Sequence, residues 1–150
     1  MGHKYEQGYI KNKKRRYEIM ENLPKIEVCF FFEGDDFDVN DVTDQMQLTP
    51  TQIREKKDFP IEELAHTEWL LTTEKESCKV VFRQFEKLMK LLVGKEKVIN
   101  QICSNHKISV GFCVTIWMED GDKPEIVLTK EIVLFLASIN AEVGFDLYIY

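Results

Sequence analysis

Two long stretches of strict alternation constrain this chain more than any other feature. Ile26, Val28, Phe30 and Phe32 alternate with Glu27, Cys29 and Phe31, while Ile108, Val110, Phe112, Val114, Ile116 and Met118 alternate with smaller or more polar residues. A period of two places each apolar set on one face of a β-strand, and that face has to be covered. Helical patterns supply the cover. From Ser77, Val81, Phe82, Phe85, Leu88, Met89 and Leu92 trace one face of a long amphipathic helix; Gly94 ends or kinks it, and Val98, Ile99, Ile102 and Cys103 resume the face. Val39, Val42, Thr43 and Met46 predict a short helix, capped by Asp38 or Asn40 and followed by Pro50. Thr129 caps another, carrying Ile132, Val133, Phe135, Leu136 and Ile139. Glu68–Thr73 reads as a second strand, Glu119–Asp122 as a hairpin turn, Ile126–Leu128 as a short returning strand, and Val143, Phe145, Leu147 and Ile149 as a closing one. Residues 52–67, charged and irregular, read as a loop. The pattern predicts an α+β domain: a largely antiparallel sheet with a long central helix and two shorter helices packed on one face.

At 150 residues, the chain is long enough to bury a core without disulfide or metal. Residues 1–23 form a basic leader with six Lys and Arg against three Glu, including Lys13-Lys14-Arg15-Arg16. The domain over 24–150 holds fourteen basic against twenty-three acidic residues. The leader reads either as a solvated segment or first helix along the acidic body, or as a contact for nucleic acid or another acidic surface. The overall charge of −6 argues against a dedicated nucleic-acid binder. Cys29, Cys78, Cys103 and Cys113 contain no CxxC pair, and His3, His66 and His106 are dispersed, so neither set spells a zinc site. Among apolar neighbours, reduced thiols behave as small hydrophobes. No apolar run reaches the ~18 residues of a membrane span, and the chain opens without a signal-type run, which makes a cytoplasmic location the expectation.

The densest polar feature is Glu33-Gly34-Asp35-Asp36-Phe37-Asp38, continued by Asp41 and Asp44, with no Lys or Arg between Lys25 and Arg54. Asp36, Asp38 and Asn40 match the first ligands of an EF-hand, but Asp41 stands where the turn glycine belongs and Gln47 where the closing Glu belongs. No cofactor or metal is therefore expected. One capping carboxylate suffices for a helix start, and the surplus suits a basic partner drawn by long-range attraction. A second candidate surface is the strand face opposite the apolar set, where Phe31, Trp117, Tyr148 and Tyr150 form an aromatic platform if their strands are neighbours. Such a platform serves a protein interface or base stacking, or else is covered by the leader or the 52–67 loop. No G-x-S-x-G, P-loop, G-x-G-x-x-G or H-E-x-x-H occurs, and His66 beside Glu68 reads as a solvated histidine with no nucleophile.

Phe32-Glu33-Gly34-Asp35-Asp36-Phe37-Asp38, then Leu48-Thr49-Pro50-Thr51, Glu68-Trp69-Leu70-Leu71 and the ending Phe145-Asp146-Leu147-Tyr148-Ile149-Tyr150 resemble a bacterial family, the domain of unknown function 4279, over about residues 26–150. At Arg54-Glu55-Lys56-Lys57-Asp58 the chain departs from the aromatic and Lys-Gly-Asp of that pattern, which puts the loop's shape in question. The resemblance implies a single cytoplasmic domain and brings no catalytic residues. The expected function is a non-enzymatic protein-binding module, of the kind an immunity protein uses to mask a basic toxin, with Glu33, Asp35, Asp36, Asp41, Asp44, Phe31, Trp117, Tyr148 and Tyr150 as its surface. The alternative is a metal-dependent hydrolase using Asp35, Asp36 and Asp38.

Overall fold

The computed structural model describes residues 23–119 and 123–150. The basic leader up to Asn22 and the Asp120–Asp122 part of the expected hairpin turn lie outside the described residues. Strand β1 (Lys25–Gly34) is central. On one side it pairs antiparallel with β3 (Thr67–Thr72), followed in the same row by β4 (Glu76–Ser77). On the other side it pairs antiparallel with β5 (Ser109–Met118). A short strand β2 (Gln52–Arg54) extends the sheet beyond β3, and β6 (Glu142–Ile149) forms the opposite edge. The order is β2-β3-β1-β5-β6, antiparallel except for the parallel β5–β6 pair.

The alternation expected of β1 and β5 is realised. Ile26, Val28, Phe30, Phe32, Val110, Phe112, Val114 and Ile116 are buried on one face, joined by Trp69 and Leu71 of β3. Four helices supply residues to the same core: α1 (Val39–Met46), α2 (Val81–Leu92), α3 (Glu96–His106) and α4 (Lys130–Ser138). Asp38 caps α1, its carboxylate accepting from the amides of Asn40 and Asp41 at 3.0 and 3.2 Å. Thr129 caps α4 by accepting from the Ile132 amide. The one buried indole is satisfied, because Trp69 donates to the Thr43 hydroxyl at 2.9 Å and Thr43 donates onward to the Val39 carbonyl.

Four expectations need correction. The long central helix is two helices, since the chain leaves the helical path at Val93 and Gly94 takes a φ of +90° before α3 begins. The packing layer therefore holds four helices and not three. Residues 52–67 are not wholly irregular: β2 pairs with β3, and single 3-10 turns form at Lys56–Asp58 and Glu62–Leu64. Ile126–Leu128 does not return as a strand. Only Glu125 bridges, to Val80, and there it satisfies the start of α2 by accepting from the Val81 amide. At the sheet edge, Phe145, Leu147 and Ile149 of β6 remain exposed on the apolar side.

A Cβ added at Gly94 would meet nothing within 4 Å, so any cost of Gly94→Ala is backbone strain alone. An L-residue at that positive φ is expected to lower stability by about 1 kcal/mol or more. A urea midpoint unchanged by the substitution would show that the break between α2 and α3 does not depend on this glycine.

Candidate functional site: the open face of the sheet

With the four helices on one face, the other face of β1, β3, β5 and β6 presents the alternate residues of each strand. The register arranges them in rows. Arg54, Glu68, Glu33 and Ser109 cross one end, followed by Leu70, Phe31, Gly111 and Glu142. Thr72, Cys29, Cys113 and Gly144 occupy the middle, then Glu27, Thr115 and Asp146, and finally Lys25, Trp117 and Tyr148. Glu27, Cys29, Phe31, Cys113, Thr115 and Trp117 are half-buried, while Glu33, Asp146 and Tyr148 are exposed.

At the aromatic end, Trp117 and Tyr148 stack with ring centroids 5.9 Å apart and planes 13° from parallel. The ammonium of Lys75 sits 3.5 Å from the Trp117 ring centroid, so this indole already receives a cation on its face. Tyr150 continues the same face and is 77% exposed. Phe31 does not join them. It pairs across from Gly111, several rows away, and a Cβ there would lie 2.7 Å from the Phe31 ring and 3.2 Å from the Glu142 carbonyl oxygen. The bare glycine is what leaves room for that ring beside β5. The platform expected from four aromatics is thus Trp117, Tyr148 and Tyr150, with Phe31 apart.

The acidic segment is likewise divided. Glu33 stands on the open face. Asp35 takes the Lys56 ammonium at 2.8 Å, and Asp36 accepts from the buried Thr67 hydroxyl at 3.2 Å. Asp38 is the α1 cap. Asp41 accepts from Gln45 at 2.6 Å and pairs with His106 of α3 at 2.7 Å, within the helical layer. Asp44 is exposed on α1. The six carboxylates therefore do not form one surface with the aromatics.

At the other end, the structure assembles a group that sequence reasoning set aside. His66 is not a freely solvated side chain. Its Nε2 is 2.8 Å from Glu68 Oε1, its Nδ1 is 2.9 Å from the Leu64 carbonyl oxygen, and its ring packs 4.9 Å from that of Phe59. Glu68 also meets Arg54 at 3.5 Å and faces Glu33 in the ladder. Among the described residues, Glu33, His66 and Glu68 bring metal-type ligand atoms within 4.8 Å of one another. The spacing of His66 and Glu68 was visible in the sequence, but the fixing carbonyl and the cross-strand Glu33 were not.

Burial is the first cause that raises the two thiols of this face, and neighbouring carboxylates add to it. Burial pushes Cys29 up to about 11, with added repulsion from Cys113, Glu27 and Glu68; burial and then Asp146 raise Cys113. Thiols held protonated in this way are poor nucleophiles. A hollow of about 270 Å³, lined by residues including Leu71, Thr73, Glu76, Lys87 and Leu91, opens near the end of β3. That is below the roughly 300–1,000 Å³ of small-molecule pockets. No helix among the described residues is long and apolar enough to cross a membrane.

The sequence profile described as Domain of unknown function (DUF4279) matches residues 24–150. The chain belongs to this DUF4279 family. No curated protein and no solved structure matches it. The family match covers every strand and helix described above, including both ends of the open face.

Near neutral pH, His66 contributes to the pH dependence of this DUF4279 domain. Its hydrogen bond to the Leu64 carbonyl, and then the Glu68 carboxylate, raise its pKa above the ordinary 6.5. The stabilisation from the charged ring is fully present below that ordinary value and is lost as pH rises through the elevated folded one. Ring-proton NMR should show His66 titrating above the usual histidine range, and Glu68→Gln should lower its midpoint. A wild-type midpoint at or below the usual range would contradict the pairing.

Proposed function

We propose that this DUF4279 protein is a non-enzymatic binding module whose open sheet face receives a basic protein partner, in the manner of an immunity protein masking a toxin. The observation that carries the reading is the Trp117–Tyr148 stack with a lysine already on the indole face, adjoining a half-exposed sheet surface rich in carboxylates. An arginine side chain from a partner meets both requirements of such a surface: a planar cation to lie on the exposed Tyr148 ring or to take the place of Lys75 on the indole, and donors for Glu27 and Asp146. Aromatic anchors with surrounding charges match the division of labour at interfaces, where the ring supplies affinity and the charges supply on-rate. The proposed surface is thus Trp117, Tyr148, Tyr150, Glu27 and Asp146, with Glu33 at its far margin. Asp35, Asp36 and Asp38, the set a hydrolase reading needs, are distributed among Lys56, Thr67 and the α1 backbone, so the geometry favours the binding module.

The test is a titration with an arginine-rich peptide, following the fluorescence of Trp117 against the buried Trp69. Trp117→Ala is expected to remove ~2 kcal/mol of binding, as interface tryptophans do. The pair Glu27→Gln and Asp146→Asn should weaken association more at low salt than at ~0.15 M, where screening already limits attraction to about 8 Å. Binding that survives all three substitutions unchanged, or that ignores salt, would reject this surface.

A further inference from the structure

The end of the sheet remote from Trp117 poses a problem that the binding reading leaves untouched. Glu33 of β1 and Glu68 of β3 are direct partners in an antiparallel ladder, with side chains on the same face. Like charges so placed repel, and a cation between or beside them relieves that cost. Arg54 is beside them, but its Nη1 approaches Oε2 of Glu68 at 3.5 Å and leaves Oε1 turned toward His66.

The imidazole makes the point sharper. A carbonyl oxygen can only accept, so the contact between His66 Nδ1 and the Leu64 carbonyl at 2.9 Å places the proton of the neutral ring on Nδ1. Nε2 then presents a lone pair, 2.8 Å from a carboxylate oxygen. Two acceptors at that distance need a proton or a cation shared between them. The Nδ1–H bond to a backbone carbonyl is also the outer contact that fixes the ring of a metal-ligating histidine and aims its Nε2. Phe59, packed at 4.9 Å, further restrains the ring.

We propose that Glu33, His66 and Glu68 form a binding site for a divalent transition-metal ion of the zinc class, with a remaining coordination position open to water or an external ligand. The three donors already converge within 4.8 Å. Zinc bonds of about 2.0–2.2 Å to nitrogen and carboxylate oxygen require donors roughly 3.4 Å apart, so the ion enters by opening the 2.8 Å His66–Glu68 contact while the exposed Glu33 side chain rotates inward. One imidazole and two carboxylates are too few oxygens for calcium and include a nitrogen that magnesium does not seek. This site needs no partner protein, and Glu33 is the one residue it shares with the margin of the interface proposed around Trp117.

The experiment uses the full chain, stripped with chelator, and zinc chloride alone as the probe, read by calorimetry and by thermal unfolding. Expected are one equivalent bound through these residues, a rise in Tm with zinc, and at least tenfold weaker binding in His66→Gln and in Glu33→Gln. The Glu33→Gln protein should in addition melt higher than wild type without metal, because the like-charge pair is gone, while losing the zinc-dependent rise. That combination separates a ligand from a residue that merely holds the fold. Zinc bound equally well by both variants would place the ion elsewhere in the chain, for example at His3, His106 or the cysteines, and overturn the proposal. So would the absence of binding at millimolar zinc, or calcium bound as tightly as zinc.

Discussion

The structure depends on the one-sided burial of β1. Phe30 sits at its centre, with Phe32 and Phe112 each 5.2 Å away between ring centroids and Trp69 at 6.4 Å. Phe85 of α2 extends the group by packing 5.2 Å from Phe112. Tilted and edge-on aromatic pairs of this kind contribute about 0.5–1.5 kcal/mol each beyond their area burial. They also tie three strands and a helix to one register. A slip by one residue would turn Phe30 and Phe32 out to water and bring Cys29, Phe31 and Glu33 toward the helices, so the core fixes which side chains the open face can carry.

That consequence shapes everything on the opposite side. Because β1 is paired along both edges, its alternate residues meet those of β3 and β5 in fixed rows, and the face acquires two chemically different ends. Lys25 and Glu33 lie eight positions apart, or about 26 Å at ~3.3 Å per residue, so the aromatic end and the carboxylate–imidazole end are distinct surfaces. Between them the paired Cys29 and Cys113, kept as thiols by burial and negative neighbours, form a non-reactive middle.

Much of this was legible in the sequence where the signal was local. Alternation along Ile26–Phe32 and Val110–Met118 gave the two principal strands, and Asp38 or Asn40 marked the start of α1, where the structure uses Asp38. What failed was information that alternation does not contain. Strand direction is one case: Val143–Ile149 reads as a strand either way, and the parallel pairing with β5 comes from the crossover through α4. The break at Gly94 is another, since an apolar stripe that resumes at Val98 disguises two helices as one. His66 was misjudged for a third reason. Its partners include a backbone carbonyl, which is invisible in composition, and a glutamate on a strand more than thirty positions earlier.

The acidic segment shows why a density of one residue type is a poor guide to one function. After Glu33 turns onto the open face, Asp35 holds Lys56 and Asp36 holds the Thr67 hydroxyl, which itself accepts from the Lys56 amide at 3.1 Å. These contacts tie both ends of residues 56–67, a stretch with no buried apolar side chain, to the turn that follows β1. Such a loop has little hydrophobic burial to set its course, and polar ties that each contribute about 1 kcal/mol must do it instead. His66 lies beside the anchored Thr67. The turn that looks like a charged surface is therefore the brace that positions an imidazole against Glu68 and Glu33. Its carboxylates act on the site through the loop they hold.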